Sequence, residues 1–100
     1  MMNRKAKGTR NEHKTIRRLE SIGYECFRMA GSLGLFDVIG VSAIDLMLVQ
    51  VKSNRNPSRA ELDRIRELDT PESCRKVIHV WKDRQSLPEI REVKGQSNVK

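Results

Sequence analysis

Aromatic side chains are scarce in this chain: two Phe, one Tyr and one Trp among 100 residues. So few rings leave no stacking platform of the kind that reads single-stranded RNA, and Tyr24 and Trp81 are expected to pack in the core rather than on bases. Cysteine occurs twice, as Cys26 and Cys74. The pair is not in a C-x-x-C arrangement, and without an export signal both are expected to be reduced packing residues. The two histidines, His13 and His79, are too isolated for a zinc site, and no glycine-rich phosphate loop of the Walker type occurs. No stretch approaches the roughly 20 apolar residues of a membrane span. The basic start Met1-Met2-Asn3-Arg4-Lys5 is not followed by an apolar segment before Ile16, so nothing targets the chain for export and a cytoplasmic protein, without membrane attachment, is expected.

What the sequence does have is positive charge, unevenly placed. The net charge is +7, and residues 1–18 hold seven Lys or Arg against the single acid Glu12. Residues 19–51 reverse the balance, with Arg28 against Glu20, Glu25, Asp37 and Asp45. A basic arm and first helix beside an acid-bearing centre suit a protein that grips phosphates and holds a cation between them; solvated basic termini are the plainer reading.

One hundred residues read as one α/β domain, 9–94, with a flexible basic arm at 1–8 and a disordered polar tail at 95–100. Thr9-Arg10-Asn11-Glu12 matches a capping box, which predicts a helix over about 9–22 with Ile16, Leu19 and Ile22 inward, Glu12 on the same stripe and Gly23 as its C-terminal cap. Strands are expected at 24–30 and 35–41, separated by the tight loop Gly31-Ser32-Leu33-Gly34. A third strand, 46–52, is apolar on both faces until its end, as a central strand should be. Its period of two puts Leu46, Leu48, Gln50 and Lys52 on one face and Met47, Val49 and Val51 on the other. Ser58-Arg59-Ala60-Glu61 is a second capping box, opening a helix with Leu62, Ile65 and Leu68 inside. Strands at 76–82 and, more weakly, 89–93 complete the order helix, three strands, helix, two strands, with no internal repeat.

The chemistry-bearing residues gather on one predicted hairpin. A turn near 42–45 brings residue 37 roughly level with residues 50 and 51, within side-chain reach of Gln50, and Lys52 points the same way as Gln50. Asp37 interrupts the apolar run Phe36-Asp37-Val38-Ile39, and Gln50 and Lys52 make the end of a core strand polar. Hydrolysis of a phosphodiester near neutral pH needs a cation held by oxygen ligands, and gains from a cationic side chain beside the scissile phosphate. The competing account of these residues is a buried Asp37–Lys52 salt bridge, and the competing account of Glu12 is its capping box.

The motifs K-G-T-R-N-E in the first helix, R-M-A-G-S-L-G-L-F-D-V-I-G across the loop and second strand, and L-V-Q-V-K ending the third occur in that order between Lys7 and Leu68. In this order they resemble the PD-(D/E)XK nuclease superfamily, and within it the archaeal-type Holliday junction resolvases and their phage and bacterial relatives. The resemblance implies a restriction-endonuclease-like three-layer fold around a mixed central sheet. It implies a prokaryotic or phage-encoded, Mg²⁺-dependent endonuclease, with Mn²⁺ as a substitute, acting on four-way or other branched DNA in recombination and repair as a homodimer. By the same resemblance Asp37 is the principal metal ligand, Gln50 stands at a second ligand position, Val51 offers its backbone carbonyl, Glu12 helps hold the metal or its water, and Lys52 orients the nucleophile. Ser32 lies beside the scissile phosphate and Arg28 leads into that loop; without the resemblance they are a turn serine and a solvated strand arginine. Lys5, Lys7, Arg10, Lys14, Arg17 and Arg18 are the expected phosphate contacts, with Arg59, Arg64 and Arg66 as a weaker second patch.

One departure is plain: the family's acid two residues before the lysine is here Gln50. An amide oxygen can coordinate Mg²⁺ but is neutral, so the site has one negative charge fewer and should bind the cation more weakly. The alternative function is therefore a catalytically weak or inactive structure-specific DNA-binding module of the same fold.

Overall fold

The computed structural model describes residues 4–29 and 34–94, with only the backbone described at residues 4 and 5. Helix α1 spans Arg4–Glu20. Strands β1 (Glu25–Arg28), β2 (Val38–Val41) and β3 (Leu46–Ser53) follow. Then come helix α2 (Arg59–Glu67), β4 (Cys74–Trp81) and β5 (Glu89–Glu92). The five strands form one sheet in the order β1-β2-β3-β4-β5. Neighbours are antiparallel except β3 and β4, which are parallel and joined through α2. This is the expected α/β order, a mixed sheet between two helices.

The period of two along β3 sets the two cores. Met47 and Val49 join Leu19, Val38 and Val77 on the side of α1, with Ile16 and Val51 against them. Leu48 packs on the other side, against the cluster of Phe36, Ile65, Ile78, Val80 and Val93 that α2 covers. Gln50 and Lys52 share the face of Leu48 by the same alternation, so the polar end of β3 opens beside α2.

The first helix differs from its expected start. It begins at Arg4 rather than near residue 9, so residues 4–8 are helical and only 1–3 of the anticipated arm lie outside the described residues. Arg, Lys and Ala are good helix formers, and only Gly8 in this stretch weakens the turn. Thr9-x-x-Glu12 therefore sits inside the helix and caps nothing. The buried stripe is also more polar than the apolar period suggested, since Asn11, Thr15 and Leu19 are the buried residues. Ile22, expected inward, lies past the helix and is 66% exposed. The end itself is as expected: Gly23 at φ +104 completes a Schellman motif, with Tyr24 N–H donating to Leu19 O and Gly23 N–H to Glu20 O.

The second capping box forms as read. Ser58 Oγ accepts from Glu61 N–H at 3.1 Å, and Glu61 Oε1 accepts from Ser58 N–H at 2.9 Å. Leu68, expected inside, is the C-cap and is 41% exposed. The open carbonyls there are met from below by buried Lys76, whose Nζ donates to Ile65 O at 2.7 Å and Leu68 O at 2.8 Å.

Across the sheet α1 is fastened to β4. Trp81 Nε1–H donates to Thr15 Oγ1 at 2.9 Å, and Thr15 Oγ1 lies 3.1 Å from His79 Nδ1. Tyr24 bonds Asp45 Oδ2 at 3.0 Å, so both polar aromatics pack and are not presented as stacking surfaces. Cys26 and Cys74 are both free. No helix of the described residues is long and apolar enough to cross a membrane.

Candidate active site

The site forms where the β2–β3 ladder ends. Val38 pairs with Val49, which puts residue 37 level with residue 50, as the hairpin spacing predicts. Asp37 itself lies in a bend just before β2 rather than within a strand. Its N–H still donates to Val49 O at 2.8 Å. Beyond that point its side chain replaces the backbone as acceptor, taking Val51 N–H on Oδ2 at 2.8 Å. This bond fixes the carboxylate against β3, and Oδ1 has no hydrogen bond from the described residues at the mouth of the sheet.

Gln50 is 5% exposed, and its Oε1 has no hydrogen-bond partner among the described residues. A buried carbonyl oxygen without a donor costs about 1–3 kcal/mol unless a water, ion or ligand meets it. Lys52 is also buried, and its Nζ is 2.7 Å from Glu61 Oε2 of α2. The expected competing ion pair, Asp37 with Lys52, is replaced by this one. Lys52 nonetheless acts on Asp37 through space.

Burial pushes the Asp37 carboxyl above its ordinary range, and Glu12 and Glu61 push the same way, against the Val51 N–H and the Lys52 ammonium. Each of these charges is thus felt at Asp37. Glu61 is shifted down, first by its bond from Lys52. Glu12, freed of any capping duty, points from α1 toward β1, where Arg28 Nε donates to its Oε1 at 2.8 Å. Its carboxylate is therefore engaged in an ion pair.

The donors present suit a hard divalent cation in kind: a carboxylate oxygen, an unpartnered buried amide oxygen and the strand backbone at Val51, with no sulfur or imidazole among them. Their weakness is charge. Among the described residues no three His, Cys, Asp or Glu side chains are placed to hold a metal ion, and position 50 carries a neutral amide.

The basic residues are differently employed. Arg10 and Arg17 are exposed on α1. Lys14 Nζ lies 5.3 Å from the Trp81 ring centroid, Lys7 pairs with Asp83 at 3.1 Å, and Arg28 is held by Glu12. Beyond Lys52, a recess of about 460 Å³ is lined by Lys7, Ser53, Asn54 and Arg55, and Asn11 Nδ2 donates to Ser53 Oγ at 2.7 Å on its wall. On the second helix Arg59 and Arg66 both pair with Asp63, which leaves less charge there for a partner. Ser32 lies outside the described residues, as does the Lys5 side chain.

Sequence reasoning passed over Glu61, because the capping box accounts for it completely. No local pattern signals its meeting with Lys52, which arises only from how α2 lies across the sheet.

No family model matches the sequence, and no curated protein matches it. Solved structures do. An archaeal Holliday junction resolvase, Hjc of Archaeoglobus fulgidus, superposes with a TM-score of 0.69 at 19% identity, over 87% of this chain and 73% of that one. A bacterial homing endonuclease superposes with a TM-score of 0.63 at 21% identity, over 93% of this chain and 67% of that one. The chain shares the fold of both.

Proposed function

We propose that this protein is a divalent-metal-dependent endonuclease that cuts branched DNA, with Asp37, Gln50 and Lys52 at its centre. The observation that carries the reading is the placement of Asp37, fixed by the Val51 N–H, level with Gln50, whose buried Oε1 has no hydrogen-bond partner among the described residues at the open end of β3. The fold of the nuclease neighbours supports it, and the Holliday junction resolvase among them supports a four-way junction as substrate.

Asp37 Oδ1, Gln50 Oε1 and the Val51 carbonyl would hold Mg²⁺ or Mn²⁺, with Glu12 on the outer side. A cation there supplies positive charge against the phosphate and readies a water for attack. Lys52 holds its ammonium where negative charge grows on the scissile phosphate, a role in which one preorganised donor is worth about 10²–10³ in rate. The Val51–Asp37 hydrogen bond keeps the carboxylate from rotating away. Arg10, Lys14, Arg17 and Arg18 on α1, and the recess of Lys7, Ser53, Asn54 and Arg55, grip flanking phosphates; these contacts position the duplex without reading its bases. A junction has two-fold character, so a homodimer would present two such sites to opposing strands.

The neutral Gln50 favours one second reading, a structure-specific DNA-binding module with little cleavage. The two separate on a substrate panel: a labelled four-way junction, a flap and a matched duplex, each with Mg²⁺, with Mn²⁺ and with chelator. The nuclease reading expects metal-dependent cleavage of the junction or flap above the duplex. Tight binding without product under either metal refutes it, and equal cleavage of the duplex refutes the substrate class.

A further inference from the structure

Position 50 leaves a charge problem that another element of the fold answers. Asp37 contributes one negative charge and Lys52 one positive charge, while Gln50 contributes none, so these three sum to zero around the open end of β3. A divalent cation placed there meets attraction from Asp37 and repulsion from Lys52 in equal number, and the charge of Glu12 on the outer side is offset by Arg28, whose Nε lies 2.8 Å from it. Taking the preceding reading of the site as its premise, we propose that Glu61, on the first turn of α2, supplies the negative charge that the strand lacks at position 50, acting through Lys52 as a positioning residue.

The geometry is specific. Glu61 divides its two oxygens: Oε1 accepts from Ser58 N–H at 2.9 Å and Oε2 from Lys52 Nζ at 2.7 Å. The N-cap thus locks the carboxylate in the orientation that meets the lysine. The cap itself does not need the charge, since glutamine serves equally at that helix position. What only a carboxylate provides is a counter-charge for a lysine that is 9% exposed and stands at the head of the site. Glu61 also bears on Asp37 directly through space. The independent pointer to a ligand is Gln50, 5% exposed, with its Oε1 unpartnered among the described residues and on the same strand face as Lys52.

The arrangement separates two duties that a strand acid would combine. Gln50 donates an oxygen without charge, and Glu61 donates charge without an oxygen, because both of its oxygens are engaged. A charge returned to the strand should therefore make Glu61 dispensable to the metal.

Mn²⁺ binding by the full chain, read without DNA from the electron paramagnetic resonance signal of free Mn²⁺, tests this. Glu61→Gln keeps the cap and is expected to leave the thermal midpoint near wild type while weakening Mn²⁺ about tenfold, the usual loss when a supporting partner of a metal site is removed. Gln50→Glu in that background should return affinity to within about threefold of wild type, and the exposed Glu67→Gln on the same helix should change nothing. A folded Glu61→Gln variant with wild-type affinity overturns the inference, as does a double variant that stays as weak as Glu61→Gln. Should Glu61→Gln not fold, the double variant decides alone by the same criterion. Asp37→Asn separates the two levels: if wild-type protein shows no Asp37-dependent Mn²⁺ binding, the site reading fails, whereas an unchanged Glu61→Gln beside a weakened Asp37→Asn sinks this inference only.

Discussion

Lowering the pH from 7.5 to 5 should destabilise this protein through one residue, His79. The ring is 2% exposed on β4, and burial, aided by the positive charge of Arg18, pushes its pKa from 6.5 down to about 4. Thr15 Oγ1 accepts from Trp81 Nε1–H and lies 3.1 Å from His79 Nδ1, so its hydroxyl proton is available to a ring nitrogen that carries none. That arrangement suits a neutral imidazole protonated on Nε2 and penalises protonation of Nδ1. The unfolded chain takes up the proton near 6.5 while the folded chain waits until about 4. Between those values the unfolded state binds more protons, so stability is fully present above 6.5 and is lost as pH falls toward 4. At 1.36 kcal/mol per unit, the loss is about 2 kcal/mol at pH 5 and approaches about 3 kcal/mol below pH 4. Asp37, shifted upward, works weakly in the opposite direction, so the effect should be read as a difference. Urea melts of wild type and His79→Asn at both pH values provide it: wild type should lose about 2 kcal/mol more than the variant on acidification. Parallel losses in the two proteins would refute the assignment of the acid sensitivity to this ring.

Three further outcomes follow from the same geometry. Lys76→Met removes the buried ammonium that caps the end of α2 and should cost about 2–4 kcal/mol in a denaturant melt, since several carbonyls lose their donor at once; a cost under about 0.5 kcal/mol would mean that water replaces it. Arg10→Ala with Arg17→Ala, both exposed on α1, should flatten the dependence of log junction affinity on log salt by about two units, at about 0.9 per phosphate contact; an unchanged slope would take this face out of the DNA interface. Gln50→Glu should lower the metal concentration for half-maximal cleavage about tenfold, and no change would place Gln50 outside the metal's ligands.

Much of the fold is legible in the sequence because a few local signals have one physical solution. Ser58-x-x-Glu61 stands just after a loop and before an apolar period, and it caps α2 as read. Thr9-x-x-Glu12 carries the same pattern but follows a stretch of good helix formers, so the helix runs through it; a cap signal ends nothing when the preceding residues also favour helix. The strict alternation along Leu46–Ser53 assigns both faces of β3 and hence the common side of Gln50 and Lys52. The inward face of α1 is less legible, because Asn11 and Thr15 are polar and are buried only by partners distant in sequence, Ser53 and the His79–Trp81 pair. Glu61 is hidden for the same reason. Its meeting with Lys52 depends on how α2 lies across the sheet, a tertiary fact that local pattern does not contain.

The central claim is that Asp37 and its neighbours at the end of β3 form a cleavage centre, and single-turnover cleavage of a labelled four-way junction by Asp37→Asn tests it most directly. The variant keeps the side-chain shape and an oxygen to accept Val51 N–H, so binding of the junction in chelator should remain within about threefold of wild type. Removal of the charge should lower the Mg²⁺-dependent rate by at least about 10². Cleavage by Asp37→Asn at the wild-type rate would contradict the account.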